Sequence, residues 1–284
     1  MNKLTLSLLS LFLSSIEIYS QPAYKYFWLN ESVETDYERI SDIPVPEGYL
    51  RVACSQNSFQ EWLKHLPLKK NHDHVYLFDR TLKSNQNAHY KIIDIDVGDK
   101  DLQQCADAII RLYAEYLYAQ RRYDMISFDF TSGDAAPFDL WVNGSRPSVN
   151  NNKVRWEKSG SYDLSYPNFR NYLNTVFTYA GSSSLANEMA AVTNINDLQV
   201  GDVFIEGGFP GHGVIVVDLA TDPISHKKIF MIAQSYMPAQ EIHILKNLEN
   251  NAFSPWYELN SADKLYTPEW TFEWSDLKRF TTFE

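Results

Sequence analysis

Between Val200 and Leu245 the chain runs through four apolar segments of strand length: Val200 to Ile205, His212 to Leu219, Ile229 to Gln234 and Glu241 to Leu245. The stretches between them are too short to carry the crossover that parallel neighbours need, so the segments must pair as an antiparallel meander. A turn over Thr221 to His226 puts facing residues at a sum of about 446, which sets His212 opposite Gln234 with both side chains on one sheet face. Asp218, at the far end of the same strand, is expected to face the same way.

The segment Gly211-His212-Gly213 opens the second strand on a histidine beside a Gly-rich loop. Histidine titrates nearest neutrality, so a strand-end imidazole next to an open loop is placed to move protons. An amide such as Gln234 on the neighbouring strand can fix ring orientation and tautomer, although it cannot stabilise an imidazolium as a carboxylate does.

A helix is predicted from about Leu102 to Gln120, with Asp101 and Gln104 spaced as a capping box. Leu102, Cys105, Ile109, Leu112 and Tyr116 share one face of it, so it packs inward with Cys105 near its start. There the macrodipole and an adjacent histidine lower a thiol pKa. Free N–H groups at the helix start, with the amide of Gln103 or Gln104, could steady an oxyanion.

The rest of the chain supports this centre. An extended lead-in from Gln21, a short strand at Arg51 to Ala53, a short helix over Ser58 to Leu63 and strand-like runs at Val75 to Phe78 and His89 to Val97 make an N-terminal extension, residues 21–95. The main domain then covers 96–284. Turn signals at Ser132-Gly133, Asn143-Gly144 and Asn150-Asn151-Asn152 mark a hairpin-rich insertion over about residues 124–181, which ends in a helix from Pro167 to Tyr179. Trp141, Trp156 and Trp256 are candidate stacking platforms for sugar or peptide, with core packing as the alternative. The His72-Asp73-His74 run brings no third partner, so no metal is assigned to it.

The first residues, Met1-Asn2-Lys3 and a mostly apolar run from Leu4 to Ile18 before Ser20, read as a signal peptide over 1–20. Export to a periplasm or the outside follows, and no later segment is long and apolar enough to span a bilayer. At a net charge of −11, nucleic acid and anionic membrane surfaces are poor partners. In an oxidising compartment the two cysteines, Cys54 and Cys105, also allow one disulfide, which would silence the thiol.

The order Cys105 on a helix, Gly201-Asp202-Val203-Phe204-Ile205, Gly211-His212-Gly213-Val214-Ile215 and then Ala233-Gln234 resembles NlpC-type papain-like cysteine peptidases over roughly Asp96 to Leu245. The resemblance implies an α+β, papain-like fold with an antiparallel sheet packed on the Cys-bearing helix. It also implies cleavage of a peptide or cell-wall amide, with Cys105 as nucleophile, His212 as general base, Gln234 as orienting residue and no cofactor. Gln104-Cys105-Ala106-Asp107 departs from that family, where Asp precedes the cysteine and Ser-Gly follows. Asp101 to Ala108 (Asp-Leu-Gln-Gln-Cys-Ala-Asp-Ala) and Pro210-Gly211-His212 further resemble a family of secreted bacterial proteins of unknown function. Two alternatives remain at this point: a non-catalytic exported protein that binds glycan or peptide on the same fold, and a thiol-dependent transferase using the same pair.

Overall fold

The computed structural model of the protein describes residues 24–29, 37–259 and 264–281. The expected signal peptide, residues 1–20, lies outside them. Within the described residues the fold is mixed α+β, built on a nine-stranded sheet in which every pair is antiparallel.

Four central strands, Val203–Glu206, His212–Thr221, Lys228–Gln234 and His243–Leu245, form the expected meander. His89–Ile92 extends the sheet beyond His243–Leu245, and Leu277–Arg279 followed by Ala190–Ala191 extends it on the other side. The register differs from expectation. The loop falls one residue later, over residues 222–227, because Thr221 pairs with Lys228. A bulge between Met231 and Ile232 then shifts the pairing, so that Met231 faces Asp218 whereas Ile232 faces Val216.

The bulge has two consequences. His212 lies diagonal to Gln234 rather than opposite it, on the same face. Asp218 turns to the other face, against expectation, where Arg51 Nε reaches its carboxylate at 2.6 Å. An inserted residue inverts the alternation beyond it, and the intervening turn gives no sign of it in sequence.

The two faces of the sheet are covered differently. Gly213 lies under the helix Cys105–Ala119, so close that a Cβ there would come within 2.9 Å of Ile109 Cδ1. The lack of a side chain lets the helix settle onto the start of the His212 strand. On the opposite face Phe204 packs against Phe272, ring centroids 6.1 Å apart, from the C-terminal hairpin Lys264–Tyr266/Thr271–Glu273.

Gly201-Asp202 is a structural device. Asp202 is buried and accepts two hydrogen bonds from Arg279, at 2.6 and 2.8 Å, tying the Leu277–Arg279 strand to its neighbour. Gly201, at φ +92°, turns beneath Phe59, whose Cδ1 a Cβ would approach to 3.1 Å.

The hairpin-rich region contains the pairs Ser127–Asp129/Ala135–Pro137 and Ser145–Asn150/Lys153–Lys158, plus an unforeseen helix, Phe138–Val142. Its closing helix spans Tyr166–Tyr179, capped by Ser165 and carrying Pro167 in the first turn. The short helix Phe59–Lys64 is capped by Ser58, whose Oγ accepts from Glu61 N–H at 3.1 Å. Val75 to Phe78 forms only isolated bridges, Tyr76 with Leu82 and Leu77 with Gln240.

Candidate active site

The Cys105 helix begins later than the sequence suggests, and the difference matters chemically. Gln104 is the N-cap and Cys105 the first helical residue, with the Gln104 N–H donating to Asp107 Oδ2 at 3.2 Å. Asp101 instead accepts from the Gln104 side-chain amide at 3.0 Å and from Ala239 N–H at 2.7 Å. Those bonds hold the preceding residues, which turn over 99–102 with Leu102 N–H bonded to Lys100 O at 2.8 Å, as a strap outside the helix, and the helix starts at the cysteine itself. The backbone N–H groups of Cys105, Ala106 and Gly213 all approach the sulfur.

The strap is held from two further sides. Ser235 Oγ donates to Gln103 O at 3.0 Å, and Arg111 Nη1 donates to Gln103 Oε1 at 3.0 Å. Gln103 is therefore buried with its amide turned into the core, which removes it from the oxyanion role. Gln104 remains on the cleft wall beside Cys105.

His212 and Cys105 line the same cleft, of about 410 Å³, which falls in the size range of small-ligand sites. His212 Nε2 donates to Gln234 Oε1 at 2.8 Å, so Nδ1 is the ring nitrogen that Gln234 does not engage. The amide's orientation follows from what lies behind it. Gln234 Nε2 donates to Glu269 Oε2 at 2.7 Å and faces His243 Nε2 at 3.5 Å. His243 Nδ1 bonds the Glu241 carbonyl at 2.8 Å, which leaves its Nε2 an acceptor. Two acceptors on one side compel the amide to present NH₂ there and its oxygen to His212. Lys83 forms an ion pair with Glu269.

Burial dominates the electrostatics. It pushes the His212 pKa down to about 4 against the raising effect of the Gln234 bond, and His243 down to about 3. It pushes the Cys105 thiol up to about 11, with the nearby Asp107 charge adding to the rise and the surrounding N–H groups opposing it. Asp107 is itself buried, and that burial raises its pKa well above the usual carboxylate range against the lowering effect of the Gln104 N–H. The thiol and the imidazole are thus both neutral at rest in the cleft they share.

Aromatic rings hold the imidazole. Tyr236, Trp270 and Phe272 lie 4.6, 5.4 and 5.9 Å from its centroid. Trp270 and Glu269 both come from the tip of the C-terminal hairpin, which sequence reasoning missed. The only local signal is a proline-bearing turn, Thr267-Pro268-Glu269-Trp270, between two short runs. His243 was missed too, because it lies within an apolar strand.

Cys105, His212, Gln234 and Gln104 are thus brought together. The tryptophans are not. Trp141 is buried, with Nε1 donating to Asn168 Oδ1 at 2.9 Å, and Trp256 is buried with Nε1 bonded to Pro44 O at 2.9 Å. Neither has a free face for a ligand. Trp156 sits half-buried in its hairpin opposite Pro147, outside the cleft lining. Cys54 and Cys105 are both free thiols, and Cys54 lies 3.6 Å from Lys64 Nζ rather than in the cleft.

Among the described residues no helix is long and apolar enough to cross a membrane. A family profile, DUF4846, described as "Domain of unknown function (4846)", matches residues 40–279. No curated protein and no solved structure matches the chain.

Proposed function

The chain belongs to the DUF4846 family, and we propose that it is an exported cysteine hydrolase that cleaves the amide bond of a peptide or cell-wall fragment. The observation that carries this reading is the joint placement of Cys105 as first residue of a helix and His212, oriented by Gln234, in one cleft. The order of helix cysteine, sheet histidine and next-strand amide supports a papain-like arrangement of the NlpC type. The basic start and short apolar run of residues 1–20 support export.

In this mechanism Sγ attacks the carbonyl carbon as the thiol proton passes to His212 Nδ1 and the C=O π pair moves onto oxygen. The oxyanion lies against Cys105 N–H and the Gln104 amide. Collapse re-forms the C=O and breaks the C–N bond, and the amine leaves with the proton from His212. A water then attacks the thioester, giving its proton to His212. The acid departs and the proton returns to the sulfur. Because the resting pair is neutral, His212 acts as a general base during attack rather than as a standing imidazolium.

Incubation of the mature protein with peptidoglycan fragments and peptide libraries, followed by mass spectrometry, tests the reading. New amine and carboxylate termini that vanish with Cys105→Ala support it. An unchanged substrate pool, with a thiol inert to alkylation under native conditions, overturns it. The raised thiol pKa is the feature that favours the second reading, a binding protein on the same scaffold.

A further inference from the structure

The cleft that holds Cys105 differs in character from the rest of this acidic surface. Among the described residues no lysine or arginine lines it, and its one acidic lining residue, Asp107, is buried with Oδ2 taken by the Gln104 N–H, burial raising its pKa well above the usual carboxylate range. The nearest charges behind it are already committed. Glu269 is engaged by Gln234 and Lys83, and Glu206 Oε2 accepts from Trp270 Nε1 at 3.1 Å.

The walls and lips are apolar and built to stay so. Phe177, Tyr236 and Trp270 supply aromatic wall. Phe209 stands on one lip with 95% of its surface exposed, and Met237 on another with 54% exposed. Phe209 is not exposed through slackness. Ser182 Oγ donates to Gly208 O at 3.2 Å and accepts from Gly208 N–H at 3.3 Å, pinning the loop. A Cβ on Gly211 would come within 2.4 Å of that same oxygen, so the loop fits against Ser182 only with glycine there. A ring held out in water beside a nucleophile is a contact surface awaiting an apolar group, and an unbranched thioether across from it adapts to varied shapes.

From these observations we infer that the cleft selects substrates whose group beside the reacting carbonyl is apolar and uncharged, and turns away those carrying a carboxylate or an ammonium there. The inference rests on the hydrolase reading and names the substrate class for it. A charged group entering this cleft would shed its water without gaining an ionic partner, whereas an aromatic or aliphatic group would cover the exposed rings.

Three acyloxymethyl ketone probes test it, identical except for a phenylalanine, aspartate or lysine side chain beside the ketone, with iodoacetamide as a small uncharged control. Adduct formation on Cys105 of the mature protein is followed by intact mass. The phenylalanine probe should react at least about tenfold faster than either charged one. Phe209→Ser with Met237→Ser should shrink that gap when each probe's rate is divided by the iodoacetamide rate of the same protein. A charged probe reacting as fast or faster overturns the inference and leaves the hydrolase reading standing. If iodoacetamide and all three probes leave Cys105 unmodified, the hydrolase reading is what fails. Saturation-transfer NMR with the N-acetyl amides of the same three amino acids on the Cys105→Ala protein then decides the cleft's preference. Binding of the phenylalanine amide no tighter than the other two overturns it by that route.

Discussion

Two buried polar clusters flank the helix Cys105–Ala119, and they are built on opposite terms. Two turns into the helix, Arg111 is buried with Nε bonded to Glu115 at 2.7 Å, Nη1 to Gln103 at 3.0 Å and Nη2 to Asp96 at 3.1 Å. Tyr166 Oη closes it by donating to Glu115 at 2.7 Å. Opposite charges there are matched, with Arg111 and Glu115 sealed from solvent and Asp96 half exposed. At the helix start, burial instead drives Cys105 and His212 to their neutral forms, and their cleft opens to solvent. The first cluster cancels charge and the second suppresses it. A reactive site needs groups whose protonation can still change, and a structural site needs groups whose protonation cannot.

The sharpest way to break this contrast is to remove one member of each cluster. Cys105→Ala should lower amide hydrolysis by at least about a thousandfold while leaving the denaturation midpoint close to that of the parent protein. Loss of folding with that substitution would make the thiol a core element. Arg111→Met should do the reverse, lowering stability by about 3–5 kcal/mol in urea unfolding, because Glu115 is left buried without its cation. A change below about 1 kcal/mol would mean that the cluster contributes little net stability.

A pH titration compares the two directly. His212 binds its proton near pH 6.5 in the unfolded chain but only near pH 4 when folded, so the unfolded state holds the extra proton between those values. Stability should therefore fall as pH drops from 6.5 towards 4, by about 3 kcal/mol from this residue. His243 adds to the fall in the same direction. The His212→Gln protein should show a shallower decline. At the other end of the scale, a thiol at about 11 predicts that Cys105 alkylation keeps rising with pH through the neutral range. A rate plateau reached below pH 7 would reveal a standing thiolate–imidazolium pair.

The smallest expected effect belongs to the carboxylate behind the amide. Glu269→Gln keeps the size but removes the strict acceptor that turns Gln234, with only His243 left to hold it. Turnover should fall about three- to tenfold with little change in thermal stability, and ¹⁵N spectra of the His212 ring should show the Nε2–H tautomer losing its dominance. A variant with unaltered spectra and rate would show that His243 alone suffices.

How much of this was legible in sequence depends on the range of the interactions. The central strands and the Cys105 helix announce themselves through local period, and the Ser58 and Ser165 caps through residue type. The helix start was misplaced because Asp101 spends its carboxylate on Ala239, a partner far along the chain that no spacing rule reveals. The bulge at Met231 has no marker residue either, so simple alternation places Asp218 on the wrong face. His212 and Gln234 share a face with or without the corrected register, which is why that pair was recoverable. Glu269 and His243 were not, since what makes them matter is a hydrogen bond to Gln234 across the sheet. Trp141 and Trp256 show the limit from the other side: sequence leaves stacking platform and core packing both open, and only a buried acceptor for each indole selects the core.

The C-terminal hairpin sets the order in which the site comes into being. Cys105, His212 and Gln234 are all present before the chain reaches Glu269 and Trp270, yet until then nothing on the hairpin side turns the Gln234 amide or covers the imidazole. A chain clipped within that hairpin would keep its thiol, its base and most of its sheet and still lack an aligned relay. The orientation of Gln234 and the cover of the imidazole thus depend on a hairpin that lies well downstream of the cysteine and the histidine in the chain.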